Sequence, residues 1–199
     1  MKTLTPLIGF LLVSVCPSVM AGHDGGKDAS ATTNAASGAP AAQMSLLYPR
    51  IGTWQVTIRT MPSKSLPSGG MDKGVATIKK GPGGFSVVQD FWSRGTGGYA
   101  VGQSYTWWDG NAKAFKSVWC DNMQGCLEFT TEVDGNSWTV ELDGEANGEK
   151  VHTTIRATMS PNHNAIHEEV ANSYNGSPAK TETVSEYKRV VSGAGQTPQ

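Results

Sequence analysis

The sequence predicts an all-β domain, an antiparallel meander of about ten strands closed into a barrel. Three observations predict it. After residue 50 apolar and polar residues alternate with a period of two, and helical periodicity is absent. Turn signals recur at intervals of roughly 10–15 residues, among them Gly81-Pro82-Gly83-Gly84, Asp109-Gly110, Asp134-Gly135, Asn147-Gly148, Pro161-Asn162 and Asn175-Gly176. Glycine stands at 24 residues and tryptophan at six, which suits strands joined by many tight turns. Short connections pair each strand with the one before it. Such a meander leaves two open edges, and closure removes them. A barrel of this size has room inside for side chains or for one small ligand.

The elements follow in chain order. Lys2, the apolar run Leu7 to Val15, and Val19-Met20-Ala21 form the pattern of a secretory signal cleaved after Ala21, too short in its apolar part to span a bilayer. The reading is therefore an exported protein, periplasmic or secreted. Lipid anchoring at Cys16 is the alternative, but Val15 stands where a lipobox has a small residue. Residues 22–45 are rich in Gly, Ala, Ser and Thr and read as a disordered linker, and residues 191–199 as a disordered tail. Ser45 to Arg50 reads as a helical turn capped by Ser45 and ended by Pro49. The barrel domain is assigned to residues 46–190. Strands are expected at 52–60, 73–80, 84–92, 99–108, 113–120, 126–133, 137–143, 150–159, 164–172 and 181–189.

Alternation assigns the inner faces. Trp54, Val56 and Ile58 share one face. So do Tyr99, Val101, Gln103, Tyr105 and Trp107 in the fourth strand, and Phe115, Ser117 and Trp119 in the fifth. Leu127, Phe129 and Val133 follow, then Trp138, Val140 and Leu142, then Val151, Thr153 and Ile155. Gln103, Ser117, Thr131 and Thr153 interrupt these faces. A dry core rarely admits so many hydroxyl and amide groups. A cavity of mixed lining does, and a sandwich core with local hydrogen bonds is the plainer alternative.

The order of three motifs adds a resemblance. They are "IGTWQV" (Ile51 to Val56), "GGYAVGQSYTWWDGNAKAFKSVWCDN" (Gly97 to Asn122) and "EYKRV" (Glu186 to Val190). In this order the chain resembles the DUF1579 family, whose members look like lipocalin-type (calycin) β-barrels. The likeness covers roughly residues 46–190. It implies that Arg189 lies over the Trp54 indole as a structural lid. For function it implies only an analogy, the binding of a small, largely apolar molecule.

Acidic and basic residues nearly cancel, 17 against 16, which gives no basic field for nucleic acid. Cys120 and Cys126 flank a five-residue loop between adjacent strands of an exported chain, and read as a disulfide staple. His163 and His167 have zinc spacing on a helix, but on a strand lie about 13 Å apart, so no metal is expected. Haem barrels resembling nitrobindin need an inward histidine, and no match is found; no cofactor is assigned. Glu168 can face inward with Ile166 and Val170 and act as a buried base. No nucleophile elbow or paired-carboxylate motif is present. The expectation is a non-enzymatic barrel binding a small apolar or amphipathic ligand, lined by Tyr99, Gln103, Tyr105, Phe115, Trp119, Phe129 and Trp138. A barrel-scaffold enzyme (isomerase or hydrolase) and an envelope protein-interaction module are the alternatives. The sequence leaves oligomeric state open.

Overall fold

The computed structural model describes residues 39–63, 66–146 and 148–190. The expected signal sequence, Cys16, most of the expected linker and the expected tail lie outside the described residues. Ten antiparallel strands close into a barrel: β1 (Gly52–Thr60), β2 (Gly70–Lys80), β3 (Ser86–Gly95), β4 (Gly98–Asp109), β5 (Ala114–Asp121), β6 (Gly125–Asp134), β7 (Ser137–Ala146), β8 (Glu149–Met159), β9 (Ala165–Tyr174) and β10 (Lys180–Arg189). Each strand pairs with its neighbours in sequence, and β1 pairs with β10 to shut the ring. Closure leaves no strand without a neighbour on both sides, but β6 and β7 pair only over Thr131–Asp134 and Ser137–Val140 and part beyond that. Among the described residues no helix is long and apolar enough to cross a membrane.

One end of the barrel is plugged. A 3-10 segment, Ala42–Arg50, lies across the end where β1 begins. Met44 and Leu47 are three residues apart, so a helix of three residues per turn stacks them on one face. Both are 1% exposed and join the core with Trp54, Ile78, Phe115, Trp138 and Met159. Two expectations are corrected here. The domain begins before residue 46, because Met44 has a core to enter. Ser45 is not a cap, because its hydroxyl donates to the Ala42 carbonyl at 2.7 Å.

Arg189 fastens the plug. Its guanidinium sits 4.1 Å from the centre of the Trp54 ring. Its Nε donates to the His163 carbonyl at 2.7 Å, Nη1 to that of Ile51 and Nη2 to that of Pro49, both at 2.6 Å. The fork thus joins the end of β10, the β8–β9 turn and the plug. Trp54 is fully buried, and its Nε1 donates to the Arg50 carbonyl at 2.9 Å. At the other end, Cys120 and Cys126 are directly paired across β5 and β6 and joined by a disulfide, with Cα atoms 4.0 Å apart.

Candidate functional site: an internal cavity with a polar end

The strands surround a cavity of about 170 Å³ that is partly open to the outside. Its walls differ in chemistry. Ile58, Ile78, Phe91, Leu127, Phe129, Val140, Leu142 and Ile155 make it mainly apolar. On the β4–β6 side Thr106, Ser117 and Thr131 form a ladder of hydroxyls, 3.0 and 3.2 Å between successive oxygens. Each satisfies its neighbour, so the ladder can stand beside apolar surface without a large penalty. Five steps round the ring, β9 and β10 present Glu168, Ser185 and Tyr187, and the plug presents Arg50.

This last group is the polar end. Arg50 and Glu168 are half-buried residues of the cavity lining. The surface each still exposes is that of a side chain lining a cavity. The Arg50 guanidinium lies 4.4 Å from the centre of the Trp138 ring. Among the described residues its Nε is the buried side-chain polar atom that has no hydrogen-bond partner, and it makes no ion pair. Burial lowers the Arg50 pKa, and the charge of Glu168 opposes the shift. Burial pushes the Glu168 carboxyl above the usual carboxylate range, against the pull of Arg50 and of hydrogen bonds from Tyr187 and Ser185. The Tyr187 hydroxyl donates to Glu168 Oε1 at 3.3 Å. Its own pKa is raised well above normal, first by burial and then by the Glu168 charge. The arrangement offers one cation, one carboxyl able to hold a proton, and one phenol, facing an apolar space. Such a set can hydrogen-bond a polar head or move a proton.

A second polar cluster spans β8–β10 towards the unplugged end. Thr153 donates to Asn172 at 2.7 Å, Asn172 to Glu182 at 2.7 Å, and the Tyr174 hydroxyl to both Glu182 oxygens at 3.1 Å. Burial and the Glu182 charge push the Tyr174 pKa to about 12. These groups satisfy one another and leave no donor aimed at the cavity.

Trp119, Phe129 and Trp138 line the cavity; Phe115 is buried in the core beside it. Tyr99, Gln103 and Tyr105 do not line it. They lie on the outer face of β4, with Tyr99 56% and Tyr105 41% exposed, and Gln103 donates to Asp90 on the outside of β3. The inner face of β4 is Ala100, Gly102, Ser104, Thr106 and Trp108, small where large rings of its neighbours need space. A Cβ on Gly102 would stand 2.4 Å from the Trp119 ring. That ring in turn packs at 5.9 Å between centroids against Phe91. The outer aromatic residues leave a shallow groove on the β2–β5 surface, bordered by Val75, Trp92, Tyr99 and Val101.

The histidines point elsewhere. His167 pairs on the outside with Glu186 at 2.6 Å and Glu169 at 3.3 Å, and His152 with Asp143 at 2.8 Å. His163 occupies the β8–β9 turn with a positive φ of 56°. Among the described residues none of the three lines the cavity, and no cluster of metal-ligating side chains forms. Arg50 is the site residue that sequence reading missed. Its neighbours Pro49 and Ile51 mark a turn, and nothing in the spacing announces that the plug aims its side chain inward.

The fold and the cavity together define a class: a closed ten-stranded antiparallel barrel with a small internal space. No protein-family model matches the chain, and no curated protein does. Among solved structures it is similar to the crystal structure of Rv2717c from M. tuberculosis, with a TM-score of 0.53 and 12% sequence identity, over 76% of this chain and 99% of that one. At such identity the likeness is one of fold.

Proposed function

We propose that this protein is an exported, DUF1579-like barrel that binds one small apolar or amphipathic molecule in its cavity. The observation that carries the reading is the mainly apolar, partly open space of about 170 Å³ with Arg50, Glu168 and Tyr187 lining its polar end. A cavity of about 150 Å³ lined by aliphatic and aromatic groups admits benzene. The expected ligand is therefore small, of roughly six to ten heavy atoms by that comparison. Trp119 and Trp138 line the space and report on its occupancy. Titration with toluene, hexanol and hexanoate should give a saturable change in tryptophan emission, with matching shifts of cavity methyl resonances (Ile155, Leu142). If none of the three saturates the signal while the fold remains intact, the reading fails.

A second reading is supported by one feature, the place of Glu168 beside Tyr187 in the cavity lining. A carboxyl with a raised pKa in an apolar pocket is suited to general acid–base chemistry. This reading makes the barrel an isomerase or hydrolase scaffold. It predicts turnover of some small ester or enolisable ketone that Glu168→Gln abolishes without loss of fold. A panel of such substrates showing no difference between wild type and variant would dismiss it.

A further inference from the structure

We propose that the polar end of the cavity is a carboxylate subsite: the Arg50 guanidinium takes the head of a short amphipathic acid, and Glu168 takes up one proton as that head arrives. The inference rests on the reading of the cavity as a ligand site and names the class of ligand.

Arg50 lines the cavity, yet its Nε is buried without an acceptor. A buried charged donor without a partner keeps its whole desolvation penalty. Glu168 balances the charge through space but makes no ion pair with it. The Trp138 ring covers one face of the guanidinium at 4.4 Å and Nε is sealed from the cavity, so we assign the Nη1–Nη2 edge of this lining side chain to the ligand. A carboxylate is the acceptor whose two oxygens match that edge. Its alkyl or aryl tail would extend between Phe129, Leu142 and Ile155.

A second carboxylate beside Glu168 places two like charges side by side in a mainly apolar space, and two such groups share a proton rather than both ionise. The groups facing Glu168 can be named. They are Arg50 from the plug, Tyr187 and Ser185 from β10, and, across the β8 pairing, only Ala157. The charged neighbour on its own strand, His167, points outward. Among the described residues no other cation faces Glu168 to hold both carboxylates ionised. Proton uptake at Glu168 is therefore the relief available, and the protonated carboxyl can donate to the ligand.

The linkage has a fixed sign. Ligand binding raises the Glu168 pKa further. Between the free and bound values, affinity falls as pH rises, by at most about tenfold per pH unit. Burial already lifts the free value above the usual carboxylate range, so the window opens above that range.

The test uses the full-length chain and three probes, hexanoate, hexanol and toluene, by calorimetry and tryptophan emission between about pH 6 and 8.5. Hexanoate should bind at least tenfold tighter than hexanol at the low end, lose affinity as pH rises, and take up about one proton when measured in buffers of different ionisation enthalpy. Arg50→Lys, which keeps the charge but loses the planar guanidinium fork, should weaken hexanoate about tenfold and leave hexanol within about twofold. Glu168→Gln should flatten the pH dependence and abolish proton uptake. Neutral probes that bind beside hexanoate that binds no tighter than hexanol, or without proton uptake, would overturn the inference and leave the cavity reading standing. Failure of all three probes would remove both.

Discussion

Replacing Arg189 with alanine should loosen the plug that closes the barrel and carries Arg50. Three hydrogen bonds from one guanidinium end on the carbonyls of Pro49, Ile51 and His163. A hydrogen bond to a charged group is worth roughly 1.5–3 kcal/mol net. Arg189 is only half-buried, so water replaces part of what is lost, and the low end applies to each bond. The contact with Trp54 adds about 0.5–1 kcal/mol at a part-exposed site. Because the bonds share one side chain they do not sum fully, and the expected loss is about 3–4 kcal/mol. At roughly 2–4 °C per kcal/mol for a domain of this size, Tm should fall by about 6–16 °C. Arg189→Lys keeps the charge over Trp54 and at most one carbonyl contact, and should lose about half as much. Urea unfolding followed by circular dichroism gives the stability, and emission of Trp54 gives the local environment. An alanine variant within about 0.5 kcal/mol of wild type would refute the claim that the fork holds the plug. A lysine variant equal to wild type would refute the part played by its geometry.

Further predictions concern other parts of the barrel. The loop closed by Cys120 and Cys126 spans six positions; the double serine variant should lose roughly 2–3 kcal/mol by chain entropy, read from urea midpoints, and no loss would mean that the turn alone holds the hairpin. Gly102→Val places a side chain against Trp119, whose Nε1 is tied to Asp121 at 2.7 Å; it should cost about 1–3 kcal/mol and shift tryptophan emission. Gly98→Ala, at φ +91° in open space, should cost about 1–2 kcal/mol of backbone strain and leave that emission unchanged. The hydrogen bonds to Glu186 and then Glu169 raise the His167 pKa, so its imidazole resonances should titrate above about 6.5. Its contribution to stability is then complete below that ordinary value and fades as pH rises through the folded one. It should be small because the pair is half exposed, and a titration midpoint at or below the ordinary value would contradict the pairing.

Much of the barrel was legible because it is written in local chemistry. The first strand was expected at 52–60 and runs Gly52–Thr60, because the two-residue period begins just after Ile51 and ends before Pro62. The third begins at Ser86 rather than 84, because Pro82–Gly84 forms a 3-10 turn with Gly83 at φ +63°. The face of β4 was misread for a physical reason. Apolar character marks an inner face only where the inside has room. Here Trp119 and Phe91 fill that room, and Ala100, Gly102 and Ser104 make way. The register held the missing signal: Asp109 pairs with Ala114, so an inward Phe115 requires an inward Trp108, and every second residue back from it is inward too. Glu168 was legible from its alternation with Ile166 and Val170. Arg50 was not, since its direction is set by the way the plug lies across the closed ring, a contact between segments far apart in sequence. Met44 was hidden for the same reason, in a run of small residues that looks like linker until a core exists for it to enter.

The central claim is that the inside of the barrel, and not the aromatic groove outside it, receives the ligand. A crystal of the protein soaked in 6-bromohexanoate tests it most directly through the anomalous signal of bromine. The expected peak lies within the cavity, against Phe129 and Leu142, with the carboxylate density at the Arg50 guanidinium. A peak confined to the outer groove by Trp92 and Tyr99, or an unoccupied cavity at saturating acid, would contradict the account.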